Sequence, residues 1–495
     1  MKRPDVALQR LHRRLAWSVG VACLLSTGLV AQQPAELLIR NGTIVNATAR
    51  TQGDVRVRNG AVTEVGRNLA PGAGARVIDA TGKLVLPGGI DPHVHLGLRP
   101  GIQGSDDYTT GSRAALAGGI TTIANFINQV PQEDLSVTMG KAATEVKAQA
   151  IADVLLHAVV IDPAEVTPAA LEMLAKNYTL KIFTSRPQFD PNLLAFTKLI
   201  ESAGKAGVLT MLHCEDRSIN DLATGKLVAQ GLTTIKYYPE AKPVVSEEVA
   251  TQRCVAISEA TGAPIYIVHV SSERALRVAE AAQARGLPVF VETRVLYIHL
   301  TKERFERPDA NIYTGTPPLR DKSDKDALWK GMAKGSVNVV DTDHTGYTRA
   351  DKMAPEVNIV NNRSAGNYLQ QSLPLLYSEG VRSKRITLEQ MVALTSANPA
   401  KLFGLYPKKG TIAVGSDGDI AIWDPNLRHT VTDEEQFSNS KFTIFAGWDV
   451  TGWPITTIRR GEVVYENGKI TGAPGSGRLA PRIHWAKPIT DSSGH

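Results

Sequence analysis

Short apolar runs alternate with amphipathic stretches through the middle of this chain. The runs are rich in Val, Ile and Leu and are bounded by Gly, Pro or polar residues, a pattern typical of buried parallel strands. They lie at residues 121–126, 154–161, 180–183, 208–212, 264–268, 289–292 and 337–340. Intervening segments such as 246–261 and 272–285 have helical spacing. We therefore expect strand–helix units closed into a (β/α)8 barrel. The alternative is a doubly wound open sheet, but no glycine-rich phosphate-binding turn supports it.

Two further blocks, one near each end of the chain, have short alternating strands and Gly turns. In the first block, residues 37–45 contain Asn41-Gly42 and residues 55–62 contain Asn59-Gly60, so each of these two stretches predicts a hairpin. Residues 419–423 and 456–465 are strand-like as well, and Asn467-Gly468 follows them. Neither block is long enough for a core of its own. We expect one small β-sandwich domain built from both ends of the chain.

These patterns divide the chain into five segments. Residues 1–31 form a leader, 32–86 and 405–475 the two parts of the β-sandwich, 87–404 the barrel, and 476–495 a tail. In the leader, a basic stretch that ends at Arg14 precedes an apolar run to Ala31, as in secretory signal peptides. Arg13-Arg14 also resembles a twin-arginine export signal. We expect an exported protein, periplasmic or secreted, without stable membrane insertion once the leader is cleaved. An uncleaved anchor and, through Cys23, a lipoprotein are the alternatives.

Composition and charge narrow the class of partner. The chain has 495 residues, of which 43% are hydrophobic and 21% charged, as in an ordinary soluble globular protein. The formal net charge is +6, but the leader holds five basic residues and one aspartate, which leaves only +2 for the remainder. No basic patch with interleaved aromatic residues occurs, so we expect no nucleic-acid partner. Beyond the leader, Cys214 and Cys254 alone predict no disulfide.

Histidines and a carboxylate stand where several of the predicted strands end. After the apolar run 84–87, the segment 88–95 has the sequence Gly-Gly-Ile-Asp-Pro-His-Val-His, and alternate residues of a strand face the same side. His93 and His95 should therefore converge. His213, His269 and Asp343 follow later strands in the same way, at the barrel end that carries catalytic residues. Four imidazoles and one carboxylate form a ligand set for two metal ions.

Longer motifs accompany these residues. They lie at 88–95, 106–119, 316–320 (Thr-Pro-Pro-Leu-Arg), 326–329, 343–344 and 398–417. On these motifs, from about residue 37 to 482, the chain resembles the cyclic amidohydrolases of the amidohydrolase superfamily, in the dihydropyrimidinase and hydantoinase branch. The resemblance implies an enzyme that opens a small cyclic amide or ureide, a dihydropyrimidine or hydantoin, to an N-carbamoyl amino acid.

The same resemblance implies a site with two zinc ions. His93, His95 and Asp343 would hold one ion, His213 and His269 the other, and a carboxylated Lys181 would bridge them. A protonated amine repels metal ions, whereas a carbamate offers two oxygens and a negative charge, and burial favours the neutral amine that reacts with carbon dioxide. Two metals lower the pKa of a bridging water, and the resulting hydroxide attacks the ring amide carbon. Asp343 would take the water's proton and pass it to the leaving nitrogen.

Two departures from the family pattern lie near the substrate. Arg186 stands five residues after Lys181, where the family has a tyrosine that stabilises the oxyanion. Arg186 would stabilise an oxyanion, bind a substrate carboxylate, or face solvent. Thr316 and Asn361 fall where the family holds the ureide, but the segment around Asn361 has lost the family's flanking residues. A substrate-binding role is predicted for all three residues, and a catalytic role for Arg186 and Asp343.

These departures leave other functions open. An allantoinase-like, dihydroorotase-like or N-acyl amino acid amidohydrolase would use the same scaffold, and a non-catalytic homologue or an exported scavenger of cyclic peptides or ureides is more distant. The resemblance also implies a homotetramer. The tail rich in Pro, Gly and Ser fits an arm on a neighbouring subunit and a disordered end equally well. We expect His344 to face away from the metals. The histidines to which we assign only a structural or exposed position are His157, His299, His429 and His484.

Overall fold

The computed structural model describes residues 36–483. The predicted leader, with Arg13, Arg14 and Cys23, lies outside the described residues, as do residues 484–495 with His484. Export, cleavage and anchoring therefore stay predictions.

The first described strands belong to a terminal sheet. They are β1 (Glu36–Val45), β2 (Arg50–Arg58), β3 (Ala61–Gly66), β4 (Arg76–Asp79) and β5 (Leu84–Pro87). The hairpin predicted at Asn41-Gly42 is wrong, because β1 runs straight through it and pairs with β2 on both sides of a bulge. Asn41 has a φ of 61° there, and its N–H donates to Asp54 Oδ1 at 2.7 Å, which keeps the chain beside β2. The predicted turn Asn59-Gly60 does join β2 to β3.

A closed parallel barrel follows, as the sequence predicts. Its strands are β6 (Gly89–His95), β7 (Ile120–Asn128), β8 (Asp153–Val159), β9 (Thr179–Phe183), β10 (Thr210–His213), β11 (Ile265–Ile267), β12 (Val289–Arg294), β13 (Val339–Asp341) and β14 (His344–Thr345). Each strand from β6 to β12 pairs in parallel with the next, β12 pairs with β13, and β14 pairs back with β6. Because β13 and β14 share the eighth strand position, the (β/α)8 barrel is confirmed.

His93 and His95 belong to the first barrel strand, β6, and the apolar run 84–87 is a separate strand that belongs to the other sheet. That run is β5, which pairs with β1 and with a C-terminal strand of the terminal sheet. Gly88 lets the chain pass directly from β5 into β6, because a Cβ there would lie 2.2 Å from Thr121 Oγ1. His93 and His95 then sit at the far end of β6.

The C-terminal strands complete the terminal sheet. They are β15 (Ile420–Thr430), β16 (Asp449–Arg459), β17 (Glu462–Glu466) and β18 (Lys469–Ile470). The strand order is β18-β17-β16-β15-β5-β1-β2-β3, with β4 beside β1, so β15 joins the two ends of the chain by pairing with β5. An apolar cluster of its own, which includes Val55, Ile420 and Ile458, packs on this sheet. The second domain predicted from both termini is confirmed.

Helices surround the barrel and connect its strands. They are α1 (Tyr108–Ala117), α2 (Leu135–Gln149), α3 (Pro168–Asn177), α4 (Leu193–Lys205), α5 (Arg217–Ala229), α6 (Tyr238–Ala241), α7 (Val244–Thr261), α8 (Glu273–Ala284), α9 (Val295–His299), α10 (Lys322–Lys334), α11 (Arg349–Lys352), α12 (Leu369–Leu376), α13 (Leu388–Val392) and α14 (Asn398–Leu402). The two helices predicted at 246–261 and 272–285 are α7 and α8, and Ser272 caps α8 by accepting from the Ala275 N–H. Between residues 36 and 483, no helix has the length and apolar character that a membrane crossing requires.

A buried charge network joins the barrel to the terminal sheet. Lys409 Nζ lies 2.7 Å from Asp153 Oδ2 at the start of β8 and 3.3 Å from Asp417 Oδ2, and it also bonds Asp419 just before β15. Arg460, which directly follows β16, pairs with Asp153 as well. The network therefore holds strands of both domains at one point.

The described residues of the predicted tail pack against the end of the barrel at which this charge network lies. Ala480 N–H donates to Val154 O at 2.8 Å, and Val154 N–H donates to Arg478 O at 2.9 Å. Arg482 Nη1 donates to Leu174 O at 3.1 Å. Residues 477–483 therefore pack on their own chain, at the end of the barrel opposite to His93 and His95.

Candidate metal centre

Three predicted ligands meet at the C-terminal end of β6. His95 Nε2 lies 3.0 Å from Asp343 Oδ1, and His93 Nε2 lies 3.3 Å from the same oxygen. Asp343 occupies the junction between β13 and β14 with a φ of 47°, a left-handed conformation that turns its carboxylate towards β6. Two imidazole nitrogens and one carboxylate oxygen within 4.8 Å of one another are a suitable donor set for one metal ion.

A second pair of imidazoles lies beside this group. His213 ends β10 and His269 follows β11, and His213 Nδ1 lies 2.9 Å from His269 Nε2. His269 has a φ of 43°, and its ring centroid is 5.6 Å from that of His93. The structure therefore brings the two predicted ligand groups together across the barrel mouth.

Lys181 stands between the two groups. Its side chain is fully buried, and among the described residues its Nζ has no hydrogen-bond partner. Nζ lies 5.0 Å from the ring centroid of Phe126, which packs on His93, and 4.9 Å from that of Phe183, which packs on His213. Burial lowers the pKa of Lys181 to about 8, which increases the minor fraction of neutral amine near physiological pH.

Carboxylates that we did not predict orient the imidazoles. Glu292 Oε1 lies 2.7 Å from His93 Nδ1 and accepts from the His269 N–H at 2.9 Å. Glu215 Oε2 lies 2.9 Å from His213 Nε2. A carboxylate on one ring nitrogen fixes the tautomer and points the other nitrogen at the metal position. The sequence held a signal for both residues, since Glu292 ends a predicted strand and Glu215 follows His213 by two positions.

Charge also favours this arrangement of neutral rings and ionised carboxylates. Burial lowers the pKa of His93 although Glu292 and Asp343 act against it. Burial would raise the pKa of Glu215, but the charge of Lys242 and the hydrogen bond with His213 lower it to about 2. The rings therefore keep a lone pair for a metal, while Glu215 stays ionised.

Arg294 is a further residue that sequence reasoning missed. Its guanidinium is fully buried, and Nη1 lies 3.1 Å from Asp343 Oδ2 and 3.2 Å from the Tyr297 hydroxyl. Asp343 therefore presents Oδ1 to the two histidines and Oδ2 to Arg294. Burial would raise the pKa of Asp343, but Arg294 and then His93 hold it well below its usual range.

A cavity of about 290 Å³ opens over these groups. Thr316 lines it as predicted, with Oγ1 2.6 Å from Ser364 Oγ and 2.8 Å from the Tyr238 hydroxyl. Asn361 does not line it: this residue is exposed, and its N–H donates to Asn358 Oδ1 at 3.0 Å. The loop instead turns Ser364 and Ala365 into the cavity, so the substrate contact predicted for Asn361 stays a prediction.

Arg186 reaches the cavity only through a neighbour. Its Cζ lies 4.6 Å from the ring centroid of Phe183, and Nη2 donates to Asn128 Oδ1 at 3.1 Å. Phe183 lines the cavity and Arg186 does not, so the catalytic and substrate-binding roles assigned to Arg186 stay predictions. The arginine that lines the cavity is Arg99, four residues after His95.

The remaining described histidines lie away from the metal position. His344 Nε2 lies 2.9 Å from Asp106 Oδ2. His157 bonds the carbonyl of Pro92 at 2.9 Å, His299 bonds that of Val295 at 2.7 Å, and His429 pairs with Glu435. None of these four supplies a nitrogen to the described ligand groups.

Comparisons with known proteins agree with this architecture. A model of the amidohydrolase family matches residues 84–464. A D-hydantoinase of Ralstonia pickettii is 34% identical over 456 residues, which cover 90% of this chain and 99% of the relative. A crystal structure of a D-hydantoinase superposes with a TM-score of 0.86 at 32% identity, covering 91% of this chain and 100% of the other. A dihydropyrimidinase from Brevibacillus agri NCHU1002 gives 0.84 at 33% identity, with 92% and 100% covered.

Proposed function

The chain belongs to the amidohydrolase family, and we propose that it hydrolyses a ring C–N bond of a small cyclic amide of the hydantoin or dihydropyrimidine type. The product is an N-carbamoyl amino acid. One observation carries the proposal: His93, His95 and Asp343 face His213 and His269 across a buried, unpartnered Lys181. Relatives that match nearly the whole chain and are named D-hydantoinase and dihydropyrimidinase support the choice of a cyclic amide.

The donor set fits two zinc ions, which the two histidine groups and Asp343 would hold together with a carboxylated Lys181. The two nitrogens of the His213–His269 pair point at each other at 2.9 Å, an arrangement that a shared cation stabilises. The lowered pKa of Lys181 makes its neutral amine available for reaction with carbon dioxide. As a carbamate, Lys181 would offer oxygens to both histidine groups, whereas its amine has no hydrogen-bond partner among the described residues. When bound, the two ions lower the pKa of a water molecule and polarise the scissile carbonyl.

The residues of the chain supply proton transfer and orientation. Asp343 accepts the proton of the attacking water and returns it to the ring nitrogen as the C–N bond breaks, so the hydroxyl goes to the carbonyl carbon. Arg294 fixes the carboxylate of Asp343 by holding Oδ2. The hydroxyls of Thr316 and Ser364 line the cavity within 2.6 Å of each other and would bond the N–H and C=O groups of the ring.

The test is ring opening by the zinc-loaded protein of dihydrouracil, 5-substituted hydantoins, allantoin and dihydroorotate. The Lys181→Ala variant serves as the blank and Lys176→Ala as its matched control, since Lys176 is exposed and its ion pair among the described residues is with Glu172. We expect turnover and two zinc ions per chain in the wild type and in Lys176→Ala. Lys181→Ala should lose the second zinc, the turnover and the mass of one added carbon dioxide. Zinc binding without opening of any ring would refute the function while leaving the metal site in place.

The export and assembly predictions complete the proposal. We propose a homotetramer, to be checked by light scattering, and export through the leader, to be checked by sequencing the N-terminus of the protein from its natural host. A mature chain that begins at residue 32 supports cleavage. A monomer in solution, or a chain that keeps residues 1–31, would refute the respective statement.

A further inference from the structure

A guanidinium without a counter-ion lines the cavity over the metal centre. Within residues 36–483, Arg99 forms no ion pair, although its side chain is half-buried. Burying part of a charge without an opposite charge costs free energy that a protein usually offsets with a partner. The loop from 96 to 107 therefore presents a cation to whatever enters the cavity.

Arg99 is held in place by neutral groups. Nη1 donates to the Tyr347 hydroxyl at 2.7 Å, Nη2 donates to the carbonyl of Gly346 at 2.6 Å, and Cζ lies 4.3 Å from the centroid of the Tyr347 ring. Nε is buried and has no hydrogen-bond partner among the described residues. Two of its five N–H groups are thus fixed without neutralising the charge, which leaves a preorganised donor.

The other charged groups of the cavity do not neutralise Arg99. Among the described residues that line it, Asp343 is the sole carboxylate, and its two oxygens face His93, His95 and Arg294. The other lining side chains are imidazoles, hydroxyls, rings and a methyl group. Solvent ions or the substrate must therefore balance the positive charge of Arg99.

From this imbalance we propose that the substrate carries a carboxylate on its ring substituent and that Arg99 binds this carboxylate. The inference rests on the proposed function and narrows its substrate class to acidic rings. A planar guanidinium matches a carboxylate in a bidentate pair. The ring amide would face Asp343 and the metal position while the acidic substituent points to Arg99 and Tyr347.

Arg186 is the rival candidate for the same role. It also lacks a carboxylate partner among the described residues, but Asn128 and the ring of Phe183 occupy its guanidinium outside the cavity lining. The same substitution made at Arg99 and at Arg186 shows which of the two residues binds the carboxylate. Arg349 offers the matched control, because it lies two residues after Tyr347, is exposed and pairs with Asp309 at 3.3 Å.

The experiment compares two rings of nearly equal shape, hydantoin-5-acetate and hydantoin-5-acetamide, with the zinc-loaded full chain. We expect kcat/KM to favour the acid by at least about 10-fold, and Arg99→Gln to lower it for the acid by about 10- to 100-fold, mainly through KM. For the amide, the change should stay within about 3-fold, and Arg99→Lys should restore part of the preference. Arg349→Gln should behave as the wild type with both rings.

A binding measurement keeps the inference testable apart from catalysis. N-carbamoylaspartate, the product of the acid, should bind the wild type in calorimetry and lose at least about 10-fold in affinity in Arg99→Gln. If neither of these rings nor any ring of the panel above is opened, the proposed function fails, and this binding result alone decides the role of Arg99. If both rings are opened equally well, or if the preference is lost in Arg186→Gln and kept in Arg99→Gln, the function stands and the inference is overturned.

Discussion

Replacement of Lys409 by methionine tests whether the junction between the barrel and the terminal sheet depends on one buried cation. The side chain of Lys409 is 2% exposed, and its Nζ contacts carboxylates of Asp153, Asp417 and Asp419. Methionine fills a similar volume but leaves the carboxylates at this point with too little positive charge. Removing one partner of a buried ion pair costs about 3–5 kcal/mol, and Arg460 still pairs with Asp153, so we expect a loss of about 3 kcal/mol in the free energy of unfolding.

The matched control is the neighbouring residue. Lys408 is exposed and donates only to the carbonyl of Gly415 at 2.9 Å, so Lys408→Met should change the free energy of unfolding by less than about 0.5 kcal/mol. Both variants are unfolded in guanidinium chloride at pH 7, and midpoints are compared at a common slope. A Lys409→Met variant within about 1 kcal/mol of Lys408→Met would refute the reasoning.

The same network fixes the sign of a pH dependence. Burial would raise the pKa of Asp153, but the charges of Lys409 and Arg460 hold it below its usual range. A carboxylate with a lowered folded-state pKa stabilises the fold above its unfolded pKa of about 4, and this contribution is lost as the pH falls through the folded value. In Lys409→Met, burial acts with less opposition and the folded-state pKa rises. The difference in stability between wild type and variant should therefore be largest near pH 7 and shrink below about pH 4.

Three further predictions concern the metal centre. Arg294→Met should lower kcat by about 100-fold with little change in KM or zinc content, because Asp343 loses the group that holds Oδ2. Arg294→Lys should recover part of kcat. A change in KM alone would contradict this role of Arg294. Glu215→Gln should weaken zinc binding by about 10- to 100-fold in a chelator competition, since His213 loses its orienting carboxylate, and unchanged affinity would rule that role out. Ser364→Ala should raise KM about 10-fold while Asn361→Ala stays within about 2-fold, and the reverse order would support the substrate contact predicted for Asn361.

The periodic parts of the fold could be predicted from the sequence because they depend on local spacing. His93 and His95 converge since alternate residues of one strand face the same side, and His213 and Asp343 meet them because parallel strands end at one edge of a barrel. The turn at Asn59-Gly60 follows from local backbone preference in the same way.

Features that depend on partners distant in the chain could not be predicted. Asn41-Gly42 has the same local signal as Asn59-Gly60, but a hydrogen bond to Asp54 on the neighbouring strand makes it a bulge. The position of Arg99 depends on Tyr347, which lies almost 250 residues later. Loop conformation, which the hydrophobic pattern does not encode, decides that Ser364 and not Asn361 lines the cavity.

Three residues that line the cavity have a left-handed backbone conformation that costs free energy in any residue but glycine. His269, Asp343 and Ala365 have φ values of 43°, 47° and 73°, in a region that costs a non-glycine residue about 1–2 kcal/mol. Glycine would relieve that penalty at each position, but at His269 and Asp343 it would also remove a predicted metal ligand. Selection for heat resistance alone would thus favour glycine at two positions where it would remove a predicted metal ligand. In a laboratory evolution experiment, Ala365→Gly is the exchange that relaxes the backbone without removing a functional group, and it is the natural starting point for a more robust enzyme.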